Sequence, residues 1–532
     1  MTAGRITTTV DTTVSPGLGA YSQHITITTT GAILPTASGA AAVYDTPDVT
    51  SISLLNQGQI AGSAGGYGGQ GALLSPGGVG VDLNAGKLSN DGAISGGAGF
   101  DTYKAGTLGG TGVIIAGGSL ANSGTVIGGI GGHSTGEYYG NGVRGGDGID
   151  LSAGSLTNLT GITGGNGGNG GRYTSGGNGG DGVSITGQSI LHNSGDISGG
   201  AGGFGGGAGV GLNYGLKYAG DGGDGVDLQA SKLTNSGNIS GGAGGNGYAY
   251  GGQGGNGVSI YRGQLINNGQ ITGGIGGNDI IYGAAGGNGG NGVYIDGGKL
   301  VNAGTISGAA GGTSVGIKAN GSAGDAVKFG NMSATLILLP GAVFNGQVAA
   351  NPSADDVLDL SGKAAGSLTG LGSQFTGFTS MVVAEGANWT LAGVAETAPA
   401  ALKDNGTLAV SGTLTLGEIA AGAGTLGIEA SSVVIAPGTL GIASVAFDGP
   451  SGTLMLANPA GFTSAITGFG TGDQIDLQGL ITTSSQYANG ELTLYDHTAM
   501  VDQITFTGSY SVTNFGIQSD GNNGTLITFV PA

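Results

Sequence analysis

The sequence contains no cysteine, a single tryptophan and few charged residues, which make up 8% of its 532 residues. Without cysteine the chain forms no disulfides, so its fold must be stabilised by packing and hydrogen bonds. Thirteen lysine and arginine residues stand against 32 acidic ones, for a net charge of −19, and the basic residues do not cluster. We therefore expect no nucleic-acid partner, because binding to phosphates requires a basic cluster.

The sequence also lacks hydrophobic segments that would direct or anchor it. The start, MTAGRITTTVDTTVSPG, has no apolar stretch behind a basic end. It therefore predicts no cleaved N-terminal signal. No run of about 18 apolar residues occurs anywhere in the chain, so we expect no insertion into a membrane.

Glycine, with 128 residues, is abundant and is organised in repeats about 34 residues long. Each repeat contains a short apolar segment with the pattern apolar, variable, apolar, as in Val183-Ser184-Ile185. In a strand the two apolar side chains point to one face and the middle one to the other. The pattern predicts one wall of a stacked coil.

A second signature, L-x-N-x-G-x-I, recurs in the repeats, with Val126 in place of the isoleucine in one copy and Thr160 in place of the glycine in another. Its leucine and isoleucine are expected to point inward, and its glycine is expected at a bend because glycine tolerates positive φ. Stacking the repeats in register would align the asparagines into a ladder of hydrogen-bonded amides. The predicted ladder consists of Asn56, Asn90, Asn122, Asn158, Asn193, Asn235, Asn267 and Asn302.

Between these signatures the period changes to three, as in GGNGGNGGR at 164–172. Three residues per turn is the period of the polyproline-II-type helix, and two glycines in three let such helices pack closely. We predict polyglycine-II-like segments that run out from each coil and back. The alternative is a flexible glycine-rich loop.

The tips of these lateral segments carry tyrosines. On a rigid scaffold tyrosine gives a large contact area at a low entropic cost, which is typical of binding surfaces. The alternative is that the rings cover the glycine segments. The candidate binding residues are Tyr103, Tyr138, Tyr139, Tyr173, Tyr214, Tyr218, Tyr248, Tyr250 and Tyr282.

Together these patterns predict an all-β protein, an elongated right-handed parallel β-helix (β-solenoid) with glycine-rich lateral loops and terminal caps. We expect an N-terminal β cap or assembly segment at 1–50 and the glycine-rich solenoid at 51–329. Coils without lateral loops are expected at 330–448, and a separate C-terminal β module for secretion, capping or assembly at 449–532.

The repeat motif resembles GVxLxxGxLxNxGxIxGGxGG repeats of large bacterial surface proteins with autotransporter-like or haemagglutinin-like β-helices. In residues 445–532, FDGPSGTLML, ITGFGTGDQIDLQGL and GSYSVTNFGIQSDGNNGTLITF are similar to the C-terminal region of repeat proteins exported by type I secretion. These resemblances imply a protein outside the cell or on its surface, exported without a cleaved N-terminal signal.

Calcium is a candidate ligand because GGNGGDGVS at 176–184 matches the calcium-binding nonapeptide G-G-x-G-x-D-x-U-x. The candidate calcium ligands are Asp147, Asp181 and Asp224. Calcium-binding nonapeptides occur in direct tandem, however, whereas here each coil has one. The alternative role for these side chains is a turn before the wall strand, and Asn256 and Asn291 at equivalent positions favour it. We therefore expect no cofactor, with calcium kept as the candidate.

Catalytic residues do not form a recognisable set in the sequence. Enzymes that cleave polysaccharides need paired carboxylates, and none of the four arginines is paired with two carboxylates in the sequence. We expect a non-enzymatic structural surface protein that self-associates, as a fibre or a surface layer, or adheres to glycans, cells or abiotic surfaces through its tyrosines. The alternative is a polysaccharide-binding or polysaccharide-degrading β-helix protein.

Overall fold

A computed structural model describes residues 3–46, 49, 51–67, 74–136, 140–206, 218–280, 285–315 and 318–531. The predicted all-β class is confirmed, and long parallel sheets, as found in a β-helix, dominate the structure. The chain divides into two compact units. The first consists of Met1–Leu300, Gly304–Gly330 and Val343–Gln347, and the second of Val301–Ala303, Asn331–Ala342 and Val348–Ala532.

The first unit is built from three parallel stacks of short strands, which we call the first, second and third walls in the order in which each coil passes through them. The first-wall strands are Val43–Tyr44, Val81–Leu83, Val113–Ala116, Ile149–Ser152, Val183–Thr186, Val226–Gln229 and Val327–Phe329. Two longer strands, Val258–Asn267 and Val293–Asn302, begin in the first wall and continue into the second.

The other two walls repeat the same stacking. The second-wall strands are Ala3–Ile6, Tyr21–Ile27, Ser53–Asn56, Lys87–Asn90, Ser119–Asn122, Ser155–Asn158, Ile190–Asn193 and Lys232–Asn235. The third-wall strands are Thr9–Val10, Ala32–Ile33, Gln59–Ala61, Ala93–Ser95, Thr125–Ile127, Gly161–Thr163, Asp196–Ser198, Asn238–Ser240, Gln270–Thr272, Thr305–Ser307 and Val343–Asn345. A short antiparallel pair joins Gly66–Tyr67 to Leu74–Ser75.

The apolar positions of the two sequence signatures form the core of the first unit. In one coil, Val183 of the first wall, Leu191 of the second and Ile197 of the third are each at most 1% exposed. Each pairs with the equivalent residue of the next coil, as Leu191 does with Leu233. Burying one such side chain contributes about 1.5–3 kcal/mol, so repeating the pattern coil after coil builds a continuous core from segments too short to fold alone.

The asparagines at the end of the second wall are buried and hydrogen-bonded to one another. The Nδ2 of each donates to the Oδ1 of the asparagine in the next coil, over 2.7–2.9 Å, from Asn56 through to Asn267. Asn302 is fully buried as well. Several of these amides also donate to the backbone two residues on, as Asn193 does to the carbonyl of Gly195 at 3.0 Å. These side chains therefore join the end of each second-wall strand to the turn that follows it through hydrogen bonds.

Replacing Asn267 by alanine should lower the free energy of unfolding by about 1–3 kcal/mol, because the amide of Asn235 loses a buried partner. The Asn268→Ala variant is a matched control, since Asn268 is the next residue and its side chain is exposed; it should change stability by about 0.5 kcal/mol or less. Guanidinium unfolding followed by circular dichroism compares the two. Equal midpoints for both variants would contradict a stabilising role for the ladder.

The glycine that follows each ladder asparagine does not have the predicted conformation. We expected a positive φ, but Gly92, Gly124 and their equivalents are absent from the left-handed region. Close approach explains them instead: a Cβ on Gly124 would overlap the carbonyl oxygen of Gly92. In the coil where Thr160 replaces glycine, its hydroxyl donates to the carbonyl of Gly124, which turns that contact into a hydrogen bond.

The second unit is also built mainly from parallel strands. They are Ala334–Leu338, Val348–Ala349, Val357–Leu360, Ala365–Leu368, Phe375–Thr376, Ser380–Val383, Asn388–Leu391, Glu396–Thr397, Ala401–Asp404, Thr407–Val410, Thr413–Thr415, Ile419–Ile428, Val433–Ala436, Thr439–Phe447, Thr453–Leu456, Ala465–Thr467 and Gln474–Leu477. Trp389 is 3% exposed within this stack, and its Nε1 donates to the carbonyl of Ser361 at 3.1 Å.

Antiparallel strands complete the second unit. They are Ser484–Ala488, Glu491–Asp496, Ala499–Thr507, Phe515–Ser519 and Thr525–Phe529. Short 3₁₀ turns occur at Pro459–Gly461 and Val512–Asn514. Phe469 contacts the rings of Phe447, Phe506, Phe515 and Phe529, so an aromatic cluster packs this part of the chain.

Candidate functional site

Glycine-rich segments leave the third wall, run outward and return to the first wall of the next coil. We call them the outgoing and return segments. In the outgoing segment that begins at Gly164, every third N–H donates to the outgoing segment of the next coil, as Gly167 does to Ala201 and Gly170 to Phe204, at 2.8 and 2.9 Å. The following N–H of each triplet, such as that of Gly165, donates to Gly146 in the preceding return segment at 2.7 Å. The backbone is therefore hydrogen-bonded in two directions.

In the second direction the hydrogen bonds join into continuous chains, one of which passes through the described glycine segments close to the walls. Gly180 donates to Gly165 and accepts from Gly200, each at 2.8 Å, and the same relation repeats from coil to coil. The glycines in this chain are Gly78, Gly97, Gly110, Gly129, Gly146, Gly165, Gly180, Gly200, Gly223, Gly242, Gly255, Gly274 and Gly290. We call the whole set of outgoing and return segments the glycine array.

Where the third residue of a triplet is aspartate or asparagine, its side chain accepts a backbone N–H of the next coil. The column nearest the first wall accepts a backbone N–H at 2.6–3.0 Å at each step. Its members are Asp147, Asp181, Asp224, Asn256, Asn291 and Asp325. Asparagine and aspartate are interchangeable in this role because each offers an oxygen at the same distance from the backbone. Composition alone gave no sign of these side-chain columns.

The three aspartates predicted as calcium ligands are consecutive members of this column, and their oxygens already accept hydrogen bonds. Arg144 lies 2.7 Å from Asp147 and 2.9 Å from Asp181. Asp181 accepts the N–H of Asp224 with its other oxygen, and the second oxygen of Asp224 accepts the hydroxyl of Ser259. A calcium ion at this column would have to displace some of these donors.

Burial dominates the electrostatics of the column. Loss of solvent, reinforced by the nearby carboxylate of Asp147, raises the pKa of Asp181 to about 7. Burial also raises the pKa of Asp224 and, on the outer face of the first wall, the pKa of Asp150 and Asp227. The guanidinium of Arg144 lowers the pKa of Asp181 less than burial raises it, so the carboxyls of Asp181 and Asp224 are protonated more readily than exposed ones.

The described tyrosines fall into different environments. Tyr103 and Tyr218 are 66% and 59% exposed, whereas Tyr173 is buried with the guanidinium of Arg172 5.4 Å from its ring centre. Tyr248 and Tyr250 are half-buried. Tyr138, Tyr139, Tyr214 and Tyr282 lie outside the described residues.

Aromatic pairing links neighbouring segments of the array. Tyr218 stacks on Tyr250 with ring centres 5.0 Å apart and an interplanar angle of 17°, and Tyr248 meets the edge of Phe204 at 5.4 Å. The sequence analysis missed Tyr67, which is 67% exposed and packs edge-on against Phe100 at 5.3 Å. The glycines on either side of Tyr67 in GGYGGQ were the signal that it belongs with the other tip tyrosines.

No protein-family model, curated protein or solved structure was found to match the chain. Within the described residues, no three side chains of the metal-binding types His, Cys, Asp and Glu come together as a metal site. In the same part of the chain, no helix is both long and apolar enough to cross a membrane.

Proposed function

We propose that this protein is a non-enzymatic structural protein of the cell surface or extracellular space, in which a β-helix carries a glycine array that presents tyrosines for adhesion. The observation that supports this most is the set of continuous hydrogen-bond chains in the array. It gives the tyrosines a rigid base, so their rings lose little conformational entropy when a surface is bound.

We further infer that the β-helix is right-handed and that the array segments are polyglycine-II-like. Parallel crossover connections are right-handed in nearly all proteins. A period of three residues, with hydrogen bonds leaving the segment in two directions, is the geometry that three residues per turn produces. The resemblance to bacterial surface repeat proteins and to type I-secreted C-terminal regions supports an extracellular location.

Self-association is the second part of the proposal. Ile130 and Ile275 of the array are 46% and 60% exposed, and covering such apolar side chains would favour the side-by-side association of two copies. Negative-stain electron microscopy of the purified full chain should then reveal fibres or sheets. Only single particles, at concentrations from about 1 to 100 μM, would contradict the assembly. Release of reducing sugars from any polysaccharide by the purified chain would contradict the non-enzymatic assignment.

The adhesive role can be tested with the exposed tyrosines Tyr67 and Tyr103. The Tyr67→Ser/Tyr103→Ser variant should be retained at least about fivefold less than the wild type on polystyrene and on bacterial cells, because two large aromatic contacts are lost. Tyr44→Ser is the matched control, since Tyr44 is 43% exposed but lies on the first wall. Retention of the double variant equal to that of the control would argue against adhesion through these tyrosines.

A further inference from the structure

One groove of about 530 Å³ lies along the return segments of the array, and the stacked rings of Tyr218 and Tyr250 line it. The two tyrosines occupy equivalent positions in successive coils, where the N–H of Ala219 donates to the carbonyl of Tyr250 at 3.0 Å. Stacking holds each ring in place, so the pair forms a preorganised aromatic platform. The volume of the groove lies within the range of sites for small organic ligands.

Among the described residues, those of the coils on either side leave the platform accessible, and Tyr218 is 59% exposed. The residues equivalent to the two tyrosines are Ser175 in the preceding coil and Ala285 in the following one, and both line the groove. Their side chains are too short to cover the outer faces of the rings. A flat ligand can therefore pack against an aromatic face from the open side of the groove.

A column of polar side chains follows the platform three residues further along each return segment. Its members in the groove are Asn178, Asp221, Gln253 and Asn288. Three residues in an extended helix of this type span about 9 Å. The Oδ1 of Asn178 accepts the N–H of Asp221 at 3.0 Å, and one oxygen of Asp221 accepts the N–H of Gln253 at 2.7 Å. These bonds orient the side chains, whose remaining amide groups and carboxylate oxygen can bind a ligand.

We propose that this groove binds a neutral glycan, with one sugar ring on the Tyr218–Tyr250 platform and the hydroxyls of the next on the polar column. A pyranose has an apolar C–H face that packs on an aromatic ring and a rim of hydroxyls that both donate and accept. The polar column offers both kinds of partner. Asp221 in the groove and the net charge of −19 disfavour acidic polysaccharides. They disfavour single-stranded nucleic acid too, whose bases also stack on aromatic rings but whose phosphates need basic partners.

This inference rests on the adhesive function proposed above and assigns a ligand class to one tyrosine site. Isothermal titration of the full chain would use hexaoses of β-1,4-glucan, β-1,3-glucan and mannan, with hexagalacturonate and oligothymidylate as acidic probes. At least one neutral hexaose should bind, with a Kd between about 10 μM and 1 mM. The Tyr218→Ala/Tyr250→Ala variant should weaken that binding at least about tenfold.

Matched variants separate a ligand contact from a structural effect. The Tyr218→Phe/Tyr250→Phe variant keeps the stacked rings and should bind within about threefold of the wild type. Tyr44→Ala, on the first wall and outside the groove, should bind like the wild type, and the melting curves of all variants establish that they are folded. Absence of binding by every neutral hexaose, tighter binding of an acidic probe, or full binding by the alanine variant would each overturn the proposal.

The same measurements distinguish this proposal from the broader one. If no neutral hexaose binds while adhesion still depends on Tyr67 and Tyr103, the glycan groove is wrong and the adhesive function stands. If a neutral hexaose binds through Tyr218 and Tyr250 while the chain adheres to no surface, the groove stands as a binding site and the adhesive function is wrong.

Discussion

A Gly180→Ala variant should lose on the order of 3–5 kcal/mol of stability, although it adds a single methyl group. Gly180 is buried in the glycine array, and a Cβ at this position would overlap the carbonyl oxygen of Gly146 in the preceding coil. Relieving that overlap requires the return segments to separate. Separation would strain the 2.8 Å hydrogen bonds that Gly180 makes with Gly165 and Gly200, each of which contributes about 1 kcal/mol.

The same coil provides the control. Gly161 begins a third-wall strand, its φ lies outside the left-handed region, and a Cβ there would have nothing within 4 Å. Gly161→Ala should therefore be neutral or slightly stabilising, since alanine reduces the entropy of the unfolded chain. Thermal unfolding and amide hydrogen exchange compare the variants. Exchange should accelerate in the glycine array of Gly180→Ala alone, and equal melting temperatures would refute the close-packing argument.

This contrast also explains what the sequence could and could not predict. The alternation in segments such as Val183-Ser184-Ile185 was sufficient to predict the strands, because strand periodicity is local. The recurrence of that alternation from repeat to repeat then predicted their parallel stacking. The reason for the motif glycines, by contrast, was predicted wrongly. Close approach between residues such as Gly92 and Gly124, about 32 positions apart, depends on how the coils stack, and a single repeat carries no information about that distance.

The candidate site was predictable only in part for the same reason. The aspartates Asp147 and Asp181 stood out through the nonapeptide pattern, but their shared partner Arg144 could be recognised only after the coils were placed in register. The Tyr218–Tyr250 platform likewise requires two tips of unequal length to bring their rings to the same level. For residues that contact one another across coils, the sequence shows which residue types are present, but the fold determines which of them pair.

The protein should be more stable at mildly acidic pH than at neutral or alkaline pH. Burial raises the pKa of Asp181 to about 7 and that of Asp404 to about 6, from an ordinary value of 3.8. Between about pH 4 and pH 7 the folded chain therefore binds more protons than the unfolded chain. Stability then falls as the pH rises through this window. Melting temperatures measured from pH 4.5 to pH 8 should decrease steadily.

Asp181 should account for a large share of this dependence. A shift of about three pKa units corresponds to at most about 4 kcal/mol at pH 8, where the buried carboxylate is charged. Asp181→Asn removes the charge and keeps an oxygen for the N–H of Asp224, as Asn256 and Asn291 do in the same column. Arg144 retains Asp147 at 2.7 Å.

The Asp181→Asn variant should therefore be more stable than the wild type at pH 8, by on the order of 2 kcal/mol, and should differ from it little at pH 5. Asp11→Asn removes the same charge from an exposed side chain and serves as the control for net charge. If Asp181→Asn is less stable than the wild type at pH 8, the ion pair with Arg144 outweighs the burial of the carboxylate. In that case the charged carboxylate of Asp181 stabilises the array at pH 8, and the column contributes to stability through its ion pairs with Arg144.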